Sequence, residues 1–219
     1  MRLMFCFILF FGIQQSLLFS STTDVNISDS SIGLEKILNK IELKMKSIKT
    51  LKCSFVQEKK LSVLNKPIII SGEIYIQAPD YFAWHGAEPV KYSLVIKGHI
   101  LKQWDEDSDS VITIDLKSKP MFKVIVSQMQ TWFSGKYAEQ TDDYDIEIVR
   151  NDPLTLKFLP KPSSTAFEYI KMVQVTFKKD FSYISSIEIL EKNRDSMLMK
   201  FNDIVLNSTL PPDTWSVKT

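Results

Sequence analysis

The stretch SGEIYIQAPDYFAWHGAEP, residues 71–89, decides the fold predicted for this chain. Apolar and polar side chains alternate before Pro79, and after it Phe82 and Trp84 share one face of a second strand. Proline lacks a backbone N–H and leaves a ladder at its end, so Pro79 marks the turn between the two strands. The stretch therefore predicts an antiparallel hairpin with one strongly aromatic face. That face is either ordinary core or the wall of a site for an apolar ligand.

Segments with the same alternation flank the hairpin along the rest of the chain. Strands are predicted over 51–55, 94–105, 110–115, 144–149, 154–159, 172–178, 183–190 and 197–201, with a turn at Gly98 dividing the second of these runs. Together with the hairpin they make about 11 strands joined by short polar turns. The predicted fold class is mainly β with helices (α+β), in which one antiparallel sheet curls towards a barrel.

Two segments have helical spacing instead. In residues 30–47 the apolar side chains recur every three or four positions, which predicts an amphipathic helix that docks on the domain rather than on a membrane. Between Ser118 and Gly135, Pro120 occupies a position that a first helical turn accepts, and Gly135 is a natural C-cap. The apolar face of this second helix comprises Phe122, Ile125, Met129, Trp132 and Phe133. We interpret it as a lid over the sheet, with a plain core plug as the alternative.

The chain begins with a segment typical of a secretory signal peptide. Arg2 precedes the apolar run 3–13, which the polar residues 14–16 end, so that it falls short of the roughly 20 residues that a membrane span requires. We therefore expect a signal peptide over residues 1–22 and a single domain over residues 23–219. The cysteine that remains after cleavage, Cys53, is predicted to be a buried structural thiol.

Charge and motifs exclude several classes of function. The 27 basic and 26 acidic residues nearly balance, so the basic patch that nucleic-acid binding requires is not expected. Asp105, Asp107 and Asp109 match the first three ligand positions of a calcium loop. Ser110 and Leu116 stand where glycine and glutamate are required, which favours a hairpin tip. Because zinc spacing, a phosphate-binding loop and a nucleophile motif are also missing, we predict a binding protein without metal, cofactor or catalytic residues, and not an enzyme.

Several short motifs follow one another in a recognisable order along most of the chain. They are Ser54-Phe55-x-Gln57, Gly72, Pro79-x-x-Phe82-x-Trp84, Pro89, Gly98, Pro120-Met121-Phe122, Leu156-x-x-x-Pro160-Lys161 and Pro211-Pro212-x-Thr214. With these motifs the chain resembles the periplasmic outer-membrane lipoprotein carrier proteins, the LolA family. The resemblance implies an unclosed antiparallel β-barrel with a helical lid, whose apolar cavity shields the acyl chains of lipoproteins. It also shows a departure, since carriers of this family have an arginine before the proline of the P-x-x-F-x-W motif, where this chain has Ala78.

The same resemblance implies a location and partners. A carrier of this family is a monomer in the periplasm, where an inner-membrane ABC-type lipoprotein release complex loads it and an outer-membrane receptor unloads it. Its cargo would be acylated lipoproteins, which it would carry from the inner to the outer membrane. The alternatives are a carrier of another amphiphile, such as a glycolipid, and a LolA-fold lipid-binding sensor or regulatory protein. A lipid hydrolase is disfavoured because the sequence offers no nucleophile with a base.

The predicted acyl-chain contacts combine the resemblance with the spacing of apolar residues. Phe82 and Trp84 fall on the aromatic positions of the family motif, and the remaining candidates come from the lid helix and from strand alternation. In chain order, the full set is Phe55, Phe82, Trp84, Trp104, Phe122, Ile125, Met129, Trp132 and Phe133.

Overall fold

The computed structural model describes residues 29–119 and 131–217, and half of these residues lie in strands. Helix α1 covers Asp29–Lys46. The strands are β1 Thr50–Lys60, β2 Ile68–Gln77, β3 Tyr81–Glu88, β4 Tyr92–Lys97, β5 Ile100–Asp105, β6 Ser110–Asp115, β7 Tyr144–Asn151, β8 Leu154–Pro160, β9 Ile170–Phe177, β10 Ile184–Glu191 and β11 Ser196–Leu206. Short 3₁₀ helices cover Tyr137–Gln140, Thr165–Glu168 and Pro212–Trp215. The predicted signal peptide, residues 1–22, lies outside the described residues.

The strands form one antiparallel sheet with the order β6-β5-β4-β3-β2-β1-β11-β10-β9-β8-β7. Two meanders, β1 to β6 and β7 to β11, are joined where the first strand pairs with the last, for example Leu51 with Leu206. Strands β6 and β7 are the two edges, so the described sheet does not close. The predicted mainly β fold, an unclosed antiparallel barrel of about 11 strands, is confirmed.

The hairpin predicted around Pro79 is β2 and β3. Trp84 pairs with Ile74 and Phe82 pairs with Ile76, so the aromatic face predicted from alternation is present. The register shifts beside Gly72, where a Cβ atom would collide with the backbone carbonyl oxygen of the facing strand. A residue without a side chain is therefore required for the two strands to approach each other here.

The sheet has two buried faces. The inner face carries Phe55, Ile74, Phe82 and Trp84, which belong to the large hydrophobic core of the molecule. The outer face of the same strands carries the small cluster Tyr75, Ala83 and Val95, against which Leu210, Trp215 and Val217 of the C-terminal segment pack. Because side chains of a strand alternate between faces, β2 to β4 supply residues to both clusters.

Helix α1 and residues 131–140 pack on the inner face, and we call them the helical cover. Leu38, Ile41 and Met45 of α1 are buried in the large core, which confirms that this helix docks through its apolar side. Residues 131–134 are helical, and Gly135 follows with a φ of 77°, the left-handed conformation of a helix C-cap. None of the helices within 29–119 and 131–217 is both long and apolar enough to span a bilayer.

Candidate functional site

Four of the predicted contact residues come together on the inner face. The rings of Phe55 and Trp84 meet edge to face at a centroid distance of 5.0 Å, and Phe82 lies 6.4 Å from Trp84. Phe133, in the helical residues 131–134, packs against Phe82 at 6.2 Å and against Phe201 of β11 at 5.7 Å. The contacts therefore join strands β1, β3 and β11 to the helical cover, and we call these five residues the aromatic wall.

Trp132 lies in a second group of rings, over β8. Its ring meets Phe158 edge to face at 5.0 Å and lies 5.7 Å from Tyr137, whose hydroxyl donates to the backbone carbonyl of Trp132 at 2.6 Å. Tyr137 is fully buried, and desolvation raises the pKa of its phenol well above the usual value. This hydrogen bond ties the helical residues 131–134 to the 3₁₀ helix that follows them.

Trp104 does not join the aromatic wall. Trp104 pairs with Ser93, and Ser93 pairs in turn with His85 of the outer face. The residue before Trp104, Gln103, pairs with Leu94 of the inner face. The indole N–H of Trp104 donates to the carboxylate of Asp109 at 3.1 Å, within the turn between β5 and β6. The structure therefore places Trp104 on the side of the sheet opposite to the aromatic wall.

The remaining lid candidates Phe122, Ile125 and Met129 lie outside the described residues. The acidic run predicted to be a hairpin tip connects β5 to β6, and Asp105 there accepts hydrogen bonds from the backbone N–H and the hydroxyl of Ser108, both at 2.9 Å. Within the described ranges, no three His, Cys, Asp or Glu side chains are grouped so that they could hold a metal ion.

Polar residues of the inner face were missed by the sequence analysis. Gln57 and Lys59 follow Phe55 at alternate positions of β1, so they face the same side as the aromatic wall, and both are buried. The ammonium group of Lys59 contacts the carboxylate of Glu191, at the end of β10, at 3.0 Å. The signal that could have found them is the continuation of period two beyond Phe55, together with the F-x-Q motif.

Cys53 is also on the inner face and is only 1% exposed. Burial raises the pKa of its thiol to about 12, because the surrounding apolar side chains do not solvate a thiolate. The predicted buried thiol is confirmed. At neutral pH it is protonated and contributes a small apolar side chain to the core.

The outer face is held by hydrogen bonds to the C-terminal segment. Nε2 of His85 lies 2.9 Å from the carbonyl oxygen of Thr214, and the hydroxyl of Thr50 donates to the carbonyl oxygen of Ser208 at 2.6 Å. The ring of Trp215 packs edge to face on Tyr81 at 5.2 Å. These contacts fix the segment across the ends of β1 and β3.

The fold of this chain is similar to that of several solved structures. The solved structure of MucB has a TM-score of 0.54 at 12% identity, covering 85% of this chain and 63% of that chain. An uncharacterized conserved protein from Thermus thermophilus has a TM-score of 0.53 at 8% identity, covering 85% of this chain and 94% of that chain. The complex of Pseudomonas aeruginosa MucA and MucB has a TM-score of 0.52 at 13% identity, covering 87% and 61%. At these identities the likeness shows the fold alone.

No curated protein matches the chain. The model of one protein family does match, and it covers residues 46–218, which include all eleven strands and the C-terminal segment. The chain therefore belongs to the family of the outer membrane lipoprotein carrier protein LolA.

Proposed function

We propose that this protein is a periplasmic carrier that binds the acyl chains of lipoproteins on its inner face and carries them from the inner to the outer membrane. The observation that carries the proposal is the aromatic wall, in which Phe133 of the helical cover packs on Phe82 and Phe201 of the sheet. This protein belongs to a family named for lipoprotein carriage, which supports the same reading. The mature protein would be one domain, residues 23–219, behind a cleaved signal peptide.

The proposed cargo explains why the wall is aromatic. Removing an acyl chain from water stabilises it by about 0.8 kcal/mol for each methylene group, so a carrier must offer a comparable apolar surface. Large rings supply much contact area and tolerate guests of varied shape. An acyl chain can take the place of Phe133 against Phe82 without leaving a hydrogen bond unpaired, because that contact consists of two apolar rings.

Such a carrier needs no catalysis. Loading and release require only that the covered and the cargo-bound states differ little in free energy, so that a partner with higher affinity can withdraw the acyl chains. We therefore propose that this protein is not an enzyme, and that its partners are an inner-membrane ABC-type release complex and an outer-membrane receptor. Phe55, Phe82, Trp84 and Phe133 would contact the cargo, with Phe122, Ile125, Met129 and Trp132 completing the lid. Trp104 is left out of this set because it faces the other side of the sheet.

The direct test is native mass spectrometry of the protein isolated from a periplasm, followed by lipid extraction and by exchange with a triacylated peptide. We expect bound acylated lipoprotein or rapid uptake of the peptide. A Phe82→Glu variant should lose this binding, whereas Tyr81→Glu, on the adjacent outer-face position of the same strand, should keep it. Circular dichroism would establish that both variants fold.

A wild-type protein that stays empty and takes up no acylated peptide would overturn the proposal. Co-purification of a glycolipid in place of lipoprotein would establish a carrier of another amphiphile. Binding of a protein partner without any lipid would favour the sensor on the same fold. If Phe82→Glu folds and still binds the peptide, the aromatic wall is core and the acyl chains lie elsewhere.

A further inference from the structure

The side chains on the inner face of β1 change from apolar to polar along the strand. Leu51, Cys53 and Phe55 are buried in the large apolar core, but the next two inner-face positions are Gln57 and Lys59. A strand rises about 3.3 Å for each residue, so the ammonium end of this face begins roughly 13 Å beyond Phe55. An extended amphiphile lying along β1 would therefore meet apolar side chains first and polar ones at one end.

Lys59 and Glu191 form an ion pair with little exposure to solvent at the polar end of this face. The side chain of Lys59 is 6% exposed and that of Glu191 is 25% exposed, and the flanking residues opposite Lys59 are Ile68 and Met197. Burying a lysine in such surroundings is costly, and apolar residues at the same place are often equally stabilising or more so. Stability alone therefore gives no reason for a charged pair at this position.

Lys59 and Gln57 both retain hydrogen-bonding capacity. An ammonium group has three donors, and within the described residues that of Lys59 has one acceptor, the carboxylate of Glu191. Gln57 is 2% exposed, and within the described part of the chain its amide N–H donates to the thioether sulfur of Met197 at 3.1 Å, a weak acceptor. Donors that are buried with weak or few acceptors favour a ligand that brings carbonyl oxygens.

We propose that Gln57, Lys59 and Glu191 form the head-group end of the cargo site and bind the ester or amide carbonyl oxygens of an uncharged, acylated head group. This inference rests on the proposed function, because it places the acyl chains of that cargo along the aromatic wall. Lys59 and Gln57 would donate to the carbonyl oxygens, and Glu191 would keep the site neutral.

The charges around Lys59 disfavour a head group that is simply anionic. Besides Glu191, the carboxylate of Asp195 lies near enough for the positive charge of Lys59 to act on it. Desolvation is the largest single effect and raises the pKa of Asp195, but hydrogen bonds from Ser62 and Asn193, together with the charge of Lys59, lower it overall. The carboxylate of Glu191 already neutralises the ammonium group of Lys59 at 3.0 Å, so a phosphate or fatty-acid head would find this positive charge compensated.

The test is a competition between lipids that differ only in the head-group carbonyls. Equal amounts of dipalmitoylglycerol and its dihexadecyl ether analogue are offered to the protein in one sample, and native mass spectrometry reads the ratio of the two complexes. Dihexadecyl phosphate serves as the anionic probe. We expect the wild type to prefer the ester by about tenfold, because hydrogen bonds to a charged donor are worth that much.

The variant Lys59→Met/Glu191→Leu removes both charges, so that neither is left buried without its partner. We expect it to bind both lipids with a ratio near one. The matched control is Lys52→Met/Glu73→Leu, which removes an equally short pair from the outer face of β1 and should keep the ester preference.

Each outcome separates the inference from the proposed function. If none of the three lipids binds the wild type, the proposed function fails. If the lipids bind but the ester preference is absent, or persists in Lys59→Met/Glu191→Leu, the carrier function stands and the head-group site is overturned. Preference for dihexadecyl phosphate would overturn the uncharged head group.

Discussion

The two faces of β3 are both buried, but they are covered in different ways. On the outer face, the C-terminal segment is held by directional hydrogen bonds, such as those to the carbonyl oxygens of Thr214 and Ser208. On the inner face, Phe82 and Phe133 meet through two apolar rings, and the hydrogen bond from Tyr137 to Trp132 joins two parts of the helical cover. Burial alone therefore does not distinguish a structural face from the proposed binding face.

The kind of contact does distinguish them. A hydrogen bond broken in a buried place leaves an unpaired group that costs about 1–3 kcal/mol, so a hydrogen-bonded cover stays in place. An apolar contact can be exchanged for another apolar contact at little cost, provided that the new partner fills the same space. The outer cover, which is the C-terminal segment, is thus held in the fold, whereas under the proposed function an acyl chain would replace part of the inner, helical cover.

The largest effect on stability is expected from Trp215→Ala, which removes a large ring that packs the C-terminal segment on the outer face. Trp215 is half-buried and packs on Tyr81, so we expect the free energy of unfolding to fall by about 2–3 kcal/mol, somewhat less than for a fully buried tryptophan. Urea denaturation measures this change. Lipid binding, measured by native mass spectrometry below the transition, should remain as in the wild type. A loss of lipid binding at unchanged stability would show that the outer face also contacts cargo.

The sequence predicts the strands and the aromatic wall because alternation is a local property. Phe82 and Trp84 share a face wherever β3 is placed in the sheet. The pairing of β1 with β11 depends on a contact between the ends of the chain, which no local pattern encodes. The burial of Val95 under the C-terminal segment was not predicted for the same reason, since that segment has no periodic signal.

Trp104 shows how a single residue can mislead. Gln103 and Trp104 are adjacent in β5 and both are buried, so alternation predicts opposite faces without saying which one is inner. Hydrophobicity favours the tryptophan, but the structure places the glutamine on the inner face. Gln57 and Lys59 escaped prediction through the same bias, because their polarity argues against burial although alternation from Phe55 assigns them to the inner face.

A smaller effect is expected at alkaline pH, through Cys53 on the inner face. Its thiol has a pKa of about 12 in the folded protein and an ordinary value of 9.0 when exposed. Above the lower value the unfolded chain loses this proton while the folded protein keeps it, so stability falls as the pH rises. Between about pH 8 and about pH 10, the wild type should lose about 1.4 kcal/mol more than Cys53→Ala.

Urea titrations of the two proteins across this pH range test the prediction. Buried tyrosines such as Tyr137 add to the alkaline loss in both proteins, so only the difference between the two slopes reports on Cys53. If the empty inner face admits water, the thiol ionises near its ordinary pKa and the two slopes coincide. Equal slopes would thus show that the inner cover is open without cargo.

The smallest effect on stability, and the sharpest comparison of the two covers, comes from a matched pair of variants. Tyr137→Phe removes the hydroxyl that donates to Trp132 in the inner cover, and Thr50→Val removes the hydroxyl that donates to Ser208 under the outer cover. Each loses one hydrogen bond of 2.6 Å, so each should lower the free energy of unfolding by about 1 kcal/mol.

The rate at which a thiol reagent modifies Cys53 then separates the two covers, because the reagent reaches this buried side chain only when the inner face opens. If residues 131–134 move away from Tyr137 when the inner face opens, so that this hydrogen bond breaks, Tyr137→Phe should raise the rate about fivefold, as a loss of about 1 kcal/mol implies, while Thr50→Val leaves it unchanged. If Cys53 is exposed only by global unfolding, both variants should raise the rate equally, since both destabilise the folded state to the same extent. An equal rise would remove the distinction between a fixed outer cover and an exchangeable inner one, and with it the route by which an acyl chain would enter.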